Sequence, residues 1–474
     1  MRGERRRGLY GWALILALSV CFPSLALAQS DRQTLEEAQR LAGRKRFHEA
    51  EQRYRELLRR RPGWRDAAVG LAQVVLWGGR YREARALFLD LIRRDQRDVE
   101  AIEGAATAAY WQGDYRTAAN EFRRLAERYP DRPLARRSLS EIALAARGQE
   151  RLVVEAIDDD QPYRFWRTEA TSSIFTDPLT RWDVTAGSCH LVNPVLHADR
   201  DTPYVSLGNE IVLPWQSLTI RSSAGAFRWP DGVARPIGGL TLQFRTSPFS
   251  SMFARSEHRE LLASASATLT HTAVTRTNIG WTRYAPGSWV AGVEAGHLRY
   301  FDRNRGKYAQ AYALWPMIRG ERITASVGGS AAIRHTDDSR FYLDAVASTI
   351  STGGGFDYQY RGSYTPYWTP QHLRERRAIV LIARTLARGG ELKAQGEFGT
   401  ARDRAIGYAP SHGSQPLPTA IMPIEFQRNF HPYRVGVDLS IPLSQRYRVD
   451  AGVARTSTVF YRANEFRAIV VRYR

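Results

Sequence analysis

Between Tyr433 and Leu443 the side chains alternate without a slip. Tyr433, Val435, Val437, Leu439, Ile441 and Leu443 fall on one face, and Arg434, Gly436, Asp438 and Ser440 on the other. After a polar connection of Ser444, Gln445 and Arg446 the pattern resumes, with Tyr447, Val449, Ala451 and Val453 opposite Arg448, Asp450, Gly452 and Ala454. Successive side chains of a strand point to opposite faces, so this text predicts a hairpin with one apolar and one charged face. Strands of about ten residues, apolar on one side and aromatic at their ends, suit a sheet closed into a barrel in a membrane, with lipid outside and water within. A soluble sandwich alternates too, but its strands are shorter as a rule.

The alternation reaches back to residue 166. It predicts strands over Arg167–Phe175, Arg181–Ser188, Pro203–Leu213, Ser217–Trp229, Ile237–Ser247, Phe249–His258, Ala263–Val274, Arg276–Tyr284 and Trp289–Phe301. Further strands follow over Tyr308–Ile318, Arg322–His335, Arg340–Ile350, Phe356–Tyr364, Arg377–Leu386, Leu392–Arg402, Tyr433–Leu443, Tyr447–Thr456 and Phe466–Tyr473. A stretch of this length supports about sixteen strands, and such barrels are usually even, so one or two of these segments belong to loops or a plug. Leu240, Leu242 and Phe244 alternate with Thr241, Gln243 and Arg245, as Leu392, Ala394, Gly396 and Phe398 do with Lys393, Gln395 and Glu397. The polar set of each is expected to face the lumen. Candidate lumen residues are thus Arg434, Asp438, Arg448, Asp450, Lys393 and Glu397. Ala405 to Glu425, rich in Pro, Gly and Ser, reads as an extracellular loop.

Ahead of the strands the pattern changes to an internal repeat. Trp77-Gly78-Gly79-Arg80-Tyr81-Arg82-Glu83-Ala84 recurs 34 residues later as Trp111-Gln112-Gly113-Asp114-Tyr115-Arg116-Thr117-Ala118, Phe88 recurs as Phe122, and Leu91 as Leu125. One period earlier Phe47, Ala50, Tyr54 and Leu57 hold the same places. A unit of this length, with small residues where two helices cross, resembles the tetratricopeptide repeat. The units are placed at 31–64, 65–98 and 99–132, with a capping helix at 133–147 and a linker at 148–166. In stacks of this kind the first helix of each unit lines a concave groove. Arg40, Arg44, Trp77, Glu103, Tyr110 and Trp111 are the candidate binding residues there, although the two tryptophans also suit packing between helices.

The start of the chain is basic (Arg2, Arg5, Arg6, Arg7), then mostly apolar from Ala13 to Ala28, ending in Ala26-Leu27-Ala28. That order predicts a signal peptide at 1–28, periplasmic repeats from residue 29, and a barrel at 167–474 in a Gram-negative outer membrane. Composition agrees with an exported barrel. In 474 residues, 24% are charged and 43% hydrophobic, too polar for a helical membrane protein, and beyond the leader no window of about twenty apolar residues exists. The net charge of +20 is carried almost wholly by arginine, since Lys45, Lys307 and Lys393 are the only lysines. Composition bias and solvated faces account for most of it; attraction for lipopolysaccharide or acidic glycans is the sharper reading. No recognised motif supports nucleic acid as a partner. Outside the leader Cys189 is the only thiol.

The stretch Gly362-Ser363-Tyr364-Thr365-Pro366-Tyr367-Trp368-Thr369-Pro370-Gln371-His372 is similar to an aromatic-Ser/Thr-Pro-Gln segment in the C-terminal domain of cellulose synthase operon protein C. The order of leader, repeats and barrel resembles that family and the poly-N-acetylglucosamine porin. This resemblance implies an α + β two-domain chain that carries an exopolysaccharide, cellulose-like or of amino sugars, across the outer membrane. Its partners would be outer-membrane lipid, the glycan, and periplasmic or inner-membrane proteins of a synthesis complex.

Two other classes compete. One is a repeat-barrel protein that assists surface proteins across, or an orphan barrel with a structural role. The other is an outer-membrane hydrolase. His190, His197, His297 and His335 have abundant Ser and Asp partners in so large a barrel, yet no Gly-x-Ser-x-Gly elbow, metal-spaced His pair or phosphate-binding glycine loop occurs. Catalysis and a cofactor are therefore not expected.

Overall fold

The computed structural model describes residues 30–474 apart from 161–162, 195–197, 248, 263–265, 286–287, 339–366, 412–419 and 459–460. The expected leader lies outside the described residues. The chain forms two compact units, Met1–Ala145 and Ala146–Arg474.

The first unit holds seven helices in antiparallel succession: α1 at 30–43, α2 (Phe47–Arg60), α3 (Arg65–Trp77), α4 (Tyr81–Arg94), α5 (Val99–Gln112), α6 (Tyr115–Arg128) and α7 (Pro133–Ala145). The 34-residue period sets the packing. Ala50, Ala84 and Ala118 are fully buried where helices cross, and Tyr54, Phe88 and Phe122 fill the core beside them. Helix ends follow local chemistry. The side chains of Asp98 and Asp114 accept from Ala101 and Thr117 at the starts of α5 and α6, and Gly113 takes the left-handed conformation that ends α5. Arg59, Arg60, Arg93 and Arg94 close α2 and α4, where cations complement the helix dipole.

The second unit is an antiparallel sheet. Its strands are β1 (Gln149–Asp159), β2 (Arg164–Asp177), β3 (Thr180–Asn193), β4 (Ala198–Leu213), β5 (Leu218–Arg228), β6 (Ala234–Ser247), β7 (Ser250–Glu260), β8 (Ala273–Arg283) and β9 (Val290–Tyr300). They continue as β10 (Arg305–Arg319), β11 (Ile323–Thr336), β12 (Leu373–Thr385), β13 (Glu391–Ser411), β14 (Ala420–Phe430), β15 (Tyr433–Pro442), β16 (Tyr447–Ser457) and β17 (Arg462–Tyr473). Each strand pairs with its predecessor in sequence, except that β15 pairs with the first half of β13 while β14 pairs only with the second half. β1 pairs with both β2 and β17 (Gln149 opposite Tyr473, Asp159 opposite Ala463), so the ring is closed with sixteen strands and β14 stands outside it. Closure leaves no edge within the ring unpaired, the condition for a sheet to sit in lipid.

Three sequence expectations change, and a fourth cannot be placed. Residues 148–166 are not a linker, because β1 lies within them and completes the ring. Ala263–Val274 is not a strand: the short helix α8 (Ser266–Leu269) forms there, and β8 starts only at Ala273. Ala405–Glu425 is not wholly loop, since β13 runs on to Ser411 and pairs with β14. The strands expected at Arg340–Ile350 and Phe356–Tyr364 lie outside the described residues, and β11 pairs directly with β12, Arg334 opposite Leu373.

Register assigns every strand position to one of two faces. Ala156, Phe466, Val453, Val437 and Ala394 are consecutive partners, on a face that also carries the exposed Leu207, Leu242, Ile279, Val293, Val327 and Val380. Glu155, Arg467, Gly452, Asp438 and Lys393 are consecutive partners on the opposite, polar face. The connections also differ by rim. At the rim bearing Gln149 and Tyr473 the described turns are short, as at Gly320–Arg322 between β10 and β11. The opposite rim carries the long connections at 261–272 and 337–372 and the β13–β14 extension.

Candidate functional site

The polar face is built from charges that answer one another. On β15 to β17, Arg434 pairs with Glu465 at 2.7 Å and Arg467 with Asp438 at 2.9 Å. The second pair spans two strands because Gly452 stands between them; a Cβ there would meet Asp438 Oδ1 at 2.4 Å. Arg448 lies 3.2 Å from Asp450, which also accepts from Ser440 Oγ at 2.6 Å. Lys393 pairs with Glu391 at 2.7 Å, and Glu397 accepts from Arg377 at 2.9 Å. All six candidate residues of this face therefore share one wall, each tied to an opposite charge. The lattice continues on β1 to β4. Arg151 meets Glu169 at 3.1 Å, Tyr204 donates to Glu169 at 2.7 Å, and Arg181 reaches Asp183 at 3.1 Å. Paired charges cancel at a distance, so these parts of the wall are polar without a strong field of either sign.

Toward the rim opposite the termini the same face becomes apolar and aromatic. Tyr367 stacks on Tyr300 with ring centroids 4.0 Å apart, donates to Asp302 Oδ2 at 2.7 Å and accepts from Asn304 Nδ2 at 3.2 Å. Arg334 lies over the Trp368 ring at 5.5 Å and donates to the Tyr300 hydroxyl at 2.7 Å. The backbone of this segment is also held: Thr336 N donates to Pro370 O at 2.8 Å, and Gln371 N to Arg404 O at 2.8 Å. A second segment, Leu261 to Thr272, is fixed by Tyr163, whose hydroxyl donates to Leu262 O at 3.0 Å, and by His271, which stacks on Trp229 and reaches Asp231 at 2.8 Å. Tyr163, Phe165, Cys189 and Leu191 form the buried patch under it. Two connections thus pack on an aromatic collar of the polar face. The role of Tyr367 and Trp368 was invisible in the sequence beyond the motif itself; aromatic residues two and three positions before a Pro, ahead of a strand, were the only signal.

In the helical unit the candidate groove residues do not form one cluster. Trp77 and Trp111 are 46% and 41% exposed, and each leans on an aromatic that opens a neighbouring helix: Phe47 with Trp77 at 6.1 Å, Tyr81 with Trp111 at 6.2 Å. Tyr110 is engaged within the stack, donating to Glu141 at 2.7 Å; burial and that carboxylate push its phenol up to about 12. Glu103 takes Arg132 at 3.4 Å. Arg40 is exposed on α1 and Arg44 in the turn after it, Arg40 Nε lying 3.4 Å from Glu36 O.

A tetratricopeptide-repeat family model matches residues 41–109, and a second matches residues 104–159. The helical unit is a tetratricopeptide-repeat stack. Among solved structures, one described as a bacterial polysaccharide outer membrane secretin has a TM-score of 0.50 at 10% identity, covering 70% of this chain and 99% of that chain. At that identity the likeness shows the barrel fold alone. CdiB from Acinetobacter baumannii (TM-score 0.39, 10% identity, 69% of this chain and 60% of that one) and the Arabidopsis OM64 TPR domain (0.23, 18%, 24% and 93%) are more distant. No curated protein matches the sequence.

Proposed function

We propose that this chain is an outer-membrane conduit for an exopolysaccharide, with its repeats docking periplasmic proteins or the emerging glycan. The observation that carries the reading is the closed sixteen-strand ring with one continuous polar face. In this reading the polar face is the wall of a wet lumen. Polar side chains two strands apart meet, as Arg434 with Glu465 and Tyr204 with Glu169 do, and such contacts form where side chains converge on a concave surface. Rings of this strand number leave room for an aqueous channel. The apolar face then meets lipid.

A lumen of neutralised charges offers donors and acceptors to sugar hydroxyls without a strong hold on any of them. The aromatic collar supplies flat apolar surfaces of the kind that stack on sugar rings. One solved structure similar in fold is, by its description, a polysaccharide protein of the outer membrane, which supports the same cargo class. Residues 1–28 act as the leader and the repeats lie in the periplasm. The short turns and both ends of the barrel share one rim, and in outer-membrane barrels short turns are periplasmic and long loops extracellular. The fold resembles porins and scaffolds that catalyse nothing.

The test is ion conductance of the refolded mature chain in a planar bilayer, with neutral oligosaccharides, acidic oligosaccharides or peptides added to either side. Current that a glycan blocks from the periplasmic side, and a peptide does not, supports the conduit. Block by peptide alone moves the assignment to protein translocation. A barrel that inserts and never conducts overturns both.

A further inference from the structure

The apolar face carries a charge pattern that the conduit does not use. At the long-loop rim it turns basic over the five adjacent strands β9 to β13. Arg299 and Arg305 face each other across β9 and β10, Lys307 follows two positions on, and Arg374 and Arg402 are direct partners on β12 and β13 with Arg376 beside them. At about 4.8 Å between strands these cations cover roughly 20 Å of the perimeter. All six are exposed. Among the described residues Arg299, Arg305, Lys307, Arg374 and Arg376 make no ion pair, and Arg402 donates only to the neutral Gln427 at 2.7 Å. No apolar-face position of these strands as far as Arg402 is an Asp or Glu.

General arginine richness does not explain this. At the same rim and on the same face, β1 to β4 carry acidic residues beside their basic ones: Arg164 meets Asp158 at 3.0 Å, and His190 lies 3.0 Å from Asp201 and 3.4 Å from Asp199. Two grooves run down the basic side and share Ile333 and Arg374. One, of about 470 Å3, lies between Lys307 and Arg374; the other, of about 530 Å3, lies between Arg374 and Arg402. Directly below the cations the face is apolar, with exposed Ile333, Val380, Ile382 and Phe398.

A tier of unpaired guanidinium groups over an acyl-compatible surface fits one occupant. We propose that this sector binds a phosphorylated, multiply acylated glycolipid of the outer leaflet, its headgroup phosphates on the arginines and its acyl chains in the grooves. Arginine matches phosphate with paired donors, and the acyl chains bury against the apolar band. The inference rests on the membrane placement proposed above, though not on any cargo.

The probe is bis-phosphorylated lipid A added to the refolded full chain in detergent, with bound lipid counted by native mass spectrometry. Removing four of the cations (K307Q, R374Q, R376Q and R402Q together) is expected to weaken retention at least tenfold, while R164Q on the paired side leaves it unchanged. Dephosphorylated lipid A should bind the native chain no better than the intact lipid binds the fourfold variant. Millimolar inorganic phosphate should not strip the lipid; if phosphate alone displaces it fully, the site is a free-anion site and the lipid proposal fails. Equal retention by native and variant chains also overturns it. Heat-modifiable gel mobility reports folding, and the milder R374Q/R376Q pair, expected to lose about threefold, serves if the fourfold variant does not fold. Conductance and glycan block of the variants should stay native, so a failed lipid site and a failed conduit give different results.

Discussion

Gly70 and Gly104 sit one period apart and are held small by aromatic neighbours. A Cβ on Gly70 would meet the Tyr54 ring at 2.4 Å, and one on Gly104 the Phe88 ring at 2.4 Å. Neither glycine is needed for a turn, since both lie inside helices, where alanine is normally the better residue. Here packing outweighs propensity: Gly104→Ala is expected to destabilise the repeat stack by about 1–3 kcal/mol, read from thermal loss of the helical far-UV signal. Asp98 does double duty in the same unit, capping α5 and taking Arg65 Nη2 at 2.7 Å and Nε at 2.8 Å. The Arg65 guanidinium holds the Asp98 carboxyl below the usual carboxylate range. A depressed folded value stabilises above the unfolded value near 4 and loses that contribution as acid protonates the folded group. Asp98→Ala should therefore cost about 1–3 kcal/mol at neutral pH, and the gap from the native chain should shrink in acid melts.

Elements were legible wherever their signal was local. The β15–β16 hairpin and β6 could be read residue by residue, because alternation is written within each strand. β1 could not. Leu152, Val154 and Ala156 do alternate with Arg151, Val153, Glu155 and Ile157, yet the acidic Asp158-Asp159-Asp160 end reads as linker. It pairs locally with β2, but its pairing with β17, at the other end of the barrel sequence, is what closes the ring, and no local pattern announces that. Ala263–Val274 failed in the opposite sense: Ser266–Leu269 form a short helix, and only Ala273 and Val274 pair, as the start of β8. The β13–β14 extension is a third case, since the Pro, Gly and Ser of this stretch mask the pairing. β14 pairs only with the second half of β13, beyond the part that pairs with β15, so deleting 405–426 should leave a barrel that still migrates as a folded, heat-modifiable band. Loss of that band would mean that the extension is part of the closed structure.

At the scale of the whole molecule, a closed ring makes every face assignment a stability statement. Val437 is exposed on the apolar face, midway along β15, and Val437→Arg should cost about 2–4 kcal/mol in urea unfolding from lipid vesicles. On the opposite face Lys393→Gln should cost less than about 1 kcal/mol, because the Lys393–Glu391 pair is half exposed. A similar penalty for both changes would mean that the two faces are not lipid and water.

The sequence by itself determined the two-part architecture, the 34-residue repeat with its buried Ala50, Ala84 and Ala118, and the division of most strands into a polar and an apolar face. Periods of two and of 34 are local or repeated, so they survive without any knowledge of distant contacts. The candidate wall residues Arg434, Asp438, Arg448, Asp450, Lys393 and Glu397 could be named from parity, but their partners could not. Tertiary structure alone decided which strand closes the ring, that Arg467 reaches Asp438 across Gly452, that Tyr367 docks on Tyr300, and that the unpaired arginines of β9 to β13 share one sector. Each of these depends on strand register summed around the ring, a property that no single stretch of chain carries.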